Sequence, residues 1–98
     1  MATVIFTPAA QAELIRAQEW YEGEAQGLGG RFRKAVDVAV SRLSQNPRQF
    51  PLIHKNVRRV LLRRFPHALL FVAEPDGGIT VFACFHGSRD PMQWRRRV

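Results

Sequence analysis

Two hydrophobic periods divide this chain. Between positions 8 and 45 apolar residues return every three or four places, as on amphipathic helices; from Val57 onward they alternate or run together, as in strands. Ahead of both, Val4, Ile5 and Phe6 mark a short strand over 3–7. Thr7-Pro8 then opens a helix, with Thr7 as N-cap and Pro8 at the first helical position, where its missing N–H costs nothing. The first helix carries the stripe Ala10, Leu14, Ala17, Tyr21, widened by Ile15 and Trp20. Gly27, Gly29 and Gly30 punctuate it. A second helix follows over 31–45, its apolar face built from Phe32, Ala35, Val36, Ala39, Val40 and Leu43, and Asn46-Pro47 ends it. Joined by so short a turn, the two form an antiparallel hairpin.

Segment 47–55 reads as a loop, with Phe50-Pro51 anchored on the core. Three strands follow over 57–64, 67–74 and 79–86, broken by Phe65-Pro66 and by Pro75-Asp76-Gly77-Gly78, a strong hairpin signal. The order β-α-α-β-β-β defines an α+β domain over residues 1–98, with a helical hairpin on one face of a small, mostly antiparallel sheet. Asp90-Pro91 in the tail marks a single helical turn.

The strand pattern raises a question of cover. Leu69 and Phe71 face one way, Leu70 and Val72 the other; Ile79, Val81, Ala83 and Phe85 alternate with Phe82 and Cys84. Both faces are apolar, yet two helices cover only one. The tail, curling of the sheet or a partner chain would close the second face, and the reading favours a partner.

Composition bounds the chemistry. An apolar fraction of 46% is ordinary for a folded domain, and no apolar run approaches the roughly 18 residues of a membrane span. The first residues lack the basic and apolar regions of a secretory signal, and the lone Cys84 fits a reducing compartment, so a cytoplasmic location is expected. His54, His67 and His86 lack metal-ligand spacing, and neither metal nor cofactor is expected. The net charge of +7 is carried beyond Asn46, where ten basic residues face three acids; before it, five basic residues balance five acids. All but Lys34 and Lys55 are arginines, which bind phosphate or carboxylate in bidentate fashion.

On the strand over 57–64, Arg59, Leu61 and Arg63 share one side, and Arg58, Val60, Leu62 and Arg64 the other. Such a surface suits a phosphate backbone or an acidic peptide. His86 with Arg89 is the best pair for acid/base work, but a nuclease needs one group to take a proton and another to give one, and no second group is evident. Trp20, Tyr21 and Phe32 are expected in the core, Trp94 to pin the tail, and Cys84 to be a small core residue.

Several stretches together resemble one family. Trp20-Tyr21-Glu22, Gly27-Leu28-Gly29 and Arg31-Phe32 are similar to the helical hairpin of the RelE/ParE toxins of bacterial toxin–antitoxin modules. Asn46-Pro47, Phe50-Pro51, Val57-Arg58-Arg59 and Arg64-Phe65-Pro66 resemble the family's central strands, and His86-Gly87-Ser88-Arg89-Asp90-Pro91 with Trp94 its ParE-like ending. The resemblance implies a growth-inhibiting toxin wrapped by an acidic antitoxin in a hetero-oligomer. Arg58, Arg59, Arg63, Leu70, Val72 and Phe82 are the expected antitoxin contacts; Arg89, Trp94, Arg95, Arg96 and Arg97 are the expected target contacts. It implies one of two activities. ParE-like members poison DNA gyrase; RelE-like members cleave mRNA on the ribosome, for which His86, Arg89, Arg63 and Arg58 would be the catalytic candidates here. The ParE-like ending and the incomplete acid/base set favour gyrase.

Overall fold

The computed structural model describes residues 2–87 and Arg95. In chain order the elements are β1 (Val4–Phe6), α1 (Pro8–Glu24), α2 (Leu28–Gln45), a 3-10 turn (Pro47–Gln49), β2 (Leu52–His54), β3 (Val57–Leu61), β4 (His67–Ala73) and β5 (Ile79–His86). The five strands lie in the order β1-β5-β4-β3-β2; β1 runs parallel to β5 and every other pairing is antiparallel. The α+β class and the helical hairpin follow the sequence expectation. No helix among the described residues is long and apolar enough to cross a membrane.

Local chemistry explains the hairpin. Thr7 Oγ1 accepts the Ala10 N–H at 3.2 Å and caps α1. The second helix starts at Leu28, three residues before the expected position, because Glu22 of α1 caps it from across the turn. The Glu22 carboxylate accepts the Gly27 and Gly29 N–H groups, each at 2.9 Å. These are free donors at the positive end of α2, where a carboxylate is favoured. Gly27 takes φ +86, and a Cβ on Gly29 would stand 2.8 Å from the Gln18 carbonyl oxygen, so only glycine lets the helices approach this closely. Glu22→Ala should therefore cost about 1–2 kcal/mol by urea unfolding, and Glu22→Gln, which keeps one acceptor, less.

The expected loop over 47–55 contains β2, which pairs Leu52 with Arg58 and His54 with Val57. Its turn places Lys55 at φ +50, a conformation for which lysine gives no sequence signal. The strand expected over 57–64 ends at Leu61, because Arg64 takes φ +69 and the Leu62 N–H turns to the His67 carbonyl at 2.9 Å.

One core lies between the helices and the sheet: Leu14, Phe32, Val36, Leu43, Val60, Leu69, Phe71, Ile79, Val81 and Cys84 are all buried. Of the first helix's expected stripe, Ala10 and Leu14 are buried and Ala17 and Tyr21 pack against that core, but Ile15 and Trp20 are 42% and 60% exposed. Trp20 is thus not a core residue. A second cluster on the opposite face joins Val57, Ala68, Leu70, Phe82, Ala83 and Phe85. The expected alternation of β5 is corrected here. Leu70 pairs with Ala83 but Phe71 with Val81, so Phe82 is an extra, bulged residue. Beyond it the faces exchange, and Ala83 and Phe85 join Phe82 on the outer side. Leu70 (2% exposed), Ala83 (0%) and Phe85 (6%) are already closed off within the single chain.

Candidate functional sites

Two concave surfaces stand out, on different sides of the hairpin. The first is a groove of about 540 Å³ between α2 and the end of β3. Arg31, Lys34, Val38 and Arg42 lie along one wall at helical spacing; Leu61, Arg63, Arg64 and Phe65 form the other. Leu61 and Val38, 60% and 40% exposed, supply open apolar surface. Among the described residues five cations line this groove and no carboxylate does. The acids that balance the first half in sequence are turned elsewhere: Asp37 pairs with Arg33 at 3.4 Å, and Glu22 caps α2.

The expected basic strand is divided among several surroundings. Arg58 donates to the Phe50 carbonyl at 2.7 Å and to that of Arg48 at 3.5 Å, so it anchors segment 48–50. Phe50 is buried, its ring 6.0 Å from that of Phe71, with the Arg42 guanidinium 5.2 Å from its centroid. Arg59 is exposed, Arg63 lines the groove, Val72 is half-buried, and Leu70 and Phe82 are buried in the second cluster. Arg95 is exposed. Arg89, Asp90, Pro91, Trp94, Arg96 and Arg97 lie outside the described residues.

The second surface is a cleft of about 950 Å³ where α1 meets the ends of β4 and β5. The β4–β5 register places His67 opposite His86, their ring centroids 5.0 Å apart and nearly perpendicular. From α1, Tyr21 Oη lies 3.4 Å from His67 Nδ1, and a Glu13 carboxylate oxygen accepts the Cys84 N–H at 3.2 Å. Sequence reasoning isolated His86 and missed Glu13, Tyr21 and His67. No local signal sets this pair: the Ala73–Ile79 register next to the turn would place Phe85 opposite His67, and only the bulged Phe82 brings His86 there. Arg16 and Trp20, both exposed, also line this cleft. Among the described residues the nuclease candidates do not converge on it. His86 lies here, Arg63 in the other groove, and Arg58 is held by backbone carbonyls.

Burial, and next the Glu13 charge, push the Cys84 thiol up to about 12. Burial also raises Tyr21, with Cys84 as the second cause. Cys84 is therefore a neutral core thiol, as expected from the sequence, and should resist iodoacetamide at pH 8 until the chain unfolds. Above pH about 8.5 the unfolded thiol loses its proton while the folded one keeps it. Stability should then fall as pH rises toward 12, by up to about 1.4 kcal/mol per unit from this group. Urea unfolding midpoints across that range, flatter for Cys84→Ala, check the sign.

Two solved structures share this layered architecture. An isolated RelE toxin from E. coli has the same fold, with TM-score 0.67 and 14% identity over 99% of this chain and 96% of that one. A chain of the chromosomal ParDE toxin–antitoxin system of P. aeruginosa gives TM-score 0.65 and 22% identity over 88% and 96%. No curated protein matches the sequence. The family model described as "ParE toxin of type II toxin-antitoxin system, parDE" matches residues 4–91. The chain belongs to this ParE toxin family, and is a type II toxin of the ParE/RelE kind.

Proposed function

We propose that this toxin inhibits growth by binding and poisoning DNA gyrase, and that a cognate acidic antitoxin holds it inactive. The dispersal of the nuclease candidates carries the choice of target: among the described residues His86, Arg63 and Arg58 do not share a site. A toxin that acts by occupying its target needs no such convergence. The antitoxin's docking surface is the groove of α2 and β3. Five cations around exposed Leu61 and Val38 match an amphipathic acidic segment, with apolar residues down and carboxylates up. This relocates the expected contact surface: Arg63 stays in it, whereas Leu70 and Phe82 are reached only by displacing what buries them.

Purified toxin should abolish supercoiling by gyrase, accumulate cleaved DNA and leave mRNA intact in a translating extract. Intact supercoiling with codon-dependent mRNA cuts would reverse the assignment. One observation favours that second reading, a ribosome-dependent mRNA endonuclease. Tyr21 and His67 give His86 the second proton-handling group that the sequence lacked. On that reading His86→Ala and Tyr21→Phe would both suppress cutting with the fold intact.

A further inference from the structure

The outer face of α1 is not that of an ordinary solvated helix. At about 3.6 residues per turn, Ala10, Leu14, Ala17 and Tyr21 point to the core, and Ala12, Ile15, Arg16, Glu19, Trp20 and Gly23 share the opposite side. Ile15 and Trp20 are 42% and 60% exposed, two large apolar side chains that the fold leaves in water. Arg16 and Glu19 are exposed between them, and among the described residues neither makes a hydrogen bond or an ion pair. The neighbouring acids are occupied: Glu22 caps α2, and Glu13 accepts the Cys84 N–H.

This stripe is complementary to itself. About the bond between Ala17 and Gln18, the order small, apolar, cationic (Ala12, Ile15, Arg16) is answered by anionic, apolar, small (Glu19, Trp20, Gly23). Laid antiparallel on a second copy, each Arg16 comes level with the partner's Glu19. Trp20 leans to the same side of the helix as Arg16, which brings the indole over the partner's Arg16, the ring type that holds a guanidinium best. Ile15 leans to the side of Glu19 and packs on the stem of the partner's Glu19. Ala12 meets the partner's Gly23, where a Cβ would find no atom within 4 Å, so the two helices can approach closely. A parallel pairing would set like charges against each other and align the helix dipoles.

We propose that two copies of this toxin associate through α1, antiparallel about a two-fold axis level with Ala17 and Gln18. The contact is isologous, the same stripe on both copies, and so closes at two. It leaves the antitoxin groove of each copy open, because no residue of the stripe lines that groove. Arg16, Glu19 and Trp20 also line the cleft beside α1, so the second copy stands against that cleft. A contact of one helix with one helix is small, and the association is a weak one.

Sedimentation of the purified full chain from about 1 to 500 µM tests this. The mass should rise from one chain to two, with half-association on the order of 10–100 µM. Symmetry repeats every contact, so each substitution acts twice. Trp20→Ala and Arg16→Glu should each weaken association by about tenfold or more, with melting curves like that of the native chain. Combining Arg16→Glu with Glu19→Arg restores the complementary order and should restore association to within about threefold. A chain that stays monomeric throughout overturns the proposal; if Trp20→Ala then weakens antitoxin or gyrase binding, the stripe belongs to that partner instead. Dimers indifferent to Trp20 and Arg16 overturn it as well, since another surface then joins the copies. Failure of the double exchange to restore association overturns the antiparallel pairing of Arg16 with Glu19. The proposal does not rest on the gyrase reading, and supercoiling assays bear on that reading alone.

Discussion

Truncating Phe32 to alanine should remove about 3–5 kcal/mol from the free energy of unfolding. That is a large share of the about 5–15 kcal/mol that holds a domain of this size folded. Phe32 is fully buried where the hairpin meets the sheet. Its ring stacks on Tyr21 at 5.1 Å and meets Phe65 at 5.3 Å and His67 at 5.2 Å edge-on. These neighbours come from α1, from the β3–β4 turn and from the start of β4. No single element can move to fill the gap, so the cavity term adds fully to the lost burial. The variant should show a much lower urea midpoint and, because Tyr21 and His67 lose a wall, a disturbed cleft. A loss under about 1 kcal/mol would mean that the three elements collapse together more freely than their packing indicates.

The second large effect concerns the antitoxin. Reversing Arg31, Lys34 and Arg63 together to glutamate should weaken its binding by about a hundredfold, or about 2.7 kcal/mol, mostly through slower association and a lost dependence on salt. These side chains edge a partly wet groove, where charges steer more than they clamp. Arg59→Glu, on an exposed strand position outside the groove, should change affinity little. Arg58→Ala separates docking from folding: it frees the Phe50 and Arg48 carbonyls and should appear as a lower unfolding midpoint. Surface plasmon resonance at two salt concentrations, with a melting curve for each variant, distinguishes these outcomes. Equal affinity of the triple variant and the native toxin would place the antitoxin elsewhere.

What the sequence disclosed follows from the range of each interaction. The helices, the core face of α2 and the β4–β5 hairpin rest on local periodicity and turn chemistry and were legible in the residues, whereas the stripe read on α1 was too wide by Ile15 and Trp20. The starting point of α2 was not, because its cap comes from Glu22 on another helix. The bulge at Phe82 was not either, since nothing in Val81-Phe82-Ala83 marks which residue the partner strand will skip. The sites suffered most. Charge counted along the chain split the protein into a neutral and a cationic half. Folding lays Arg31, Lys34 and Arg42 of the first half beside Arg63 and Arg64 of the second and turns the balancing acids away. His86 was visible as chemistry, but Tyr21 is brought to His67 across the sheet by helix packing that no local pattern encodes.

The position of β5 has a kinetic consequence. Among the described residues it is the last strand in chain order yet an interior strand of the sheet, with β4 on one side and β1, the first strand, on the other. The pairing of Val4 with Ile79 spans nearly the whole described sequence, and the Thr7 N–H reaches the Val81 carbonyl at 2.9 Å. Closing so long a loop is entropically slow, so β1 should dock late, after the β4–β5 hairpin and the helices have formed. Until then α1 lacks the strand against which its first turn rests. A fragment ending before Ile79 would leave β1 without its neighbour, an easy substrate for proteases rather than a partly active toxin.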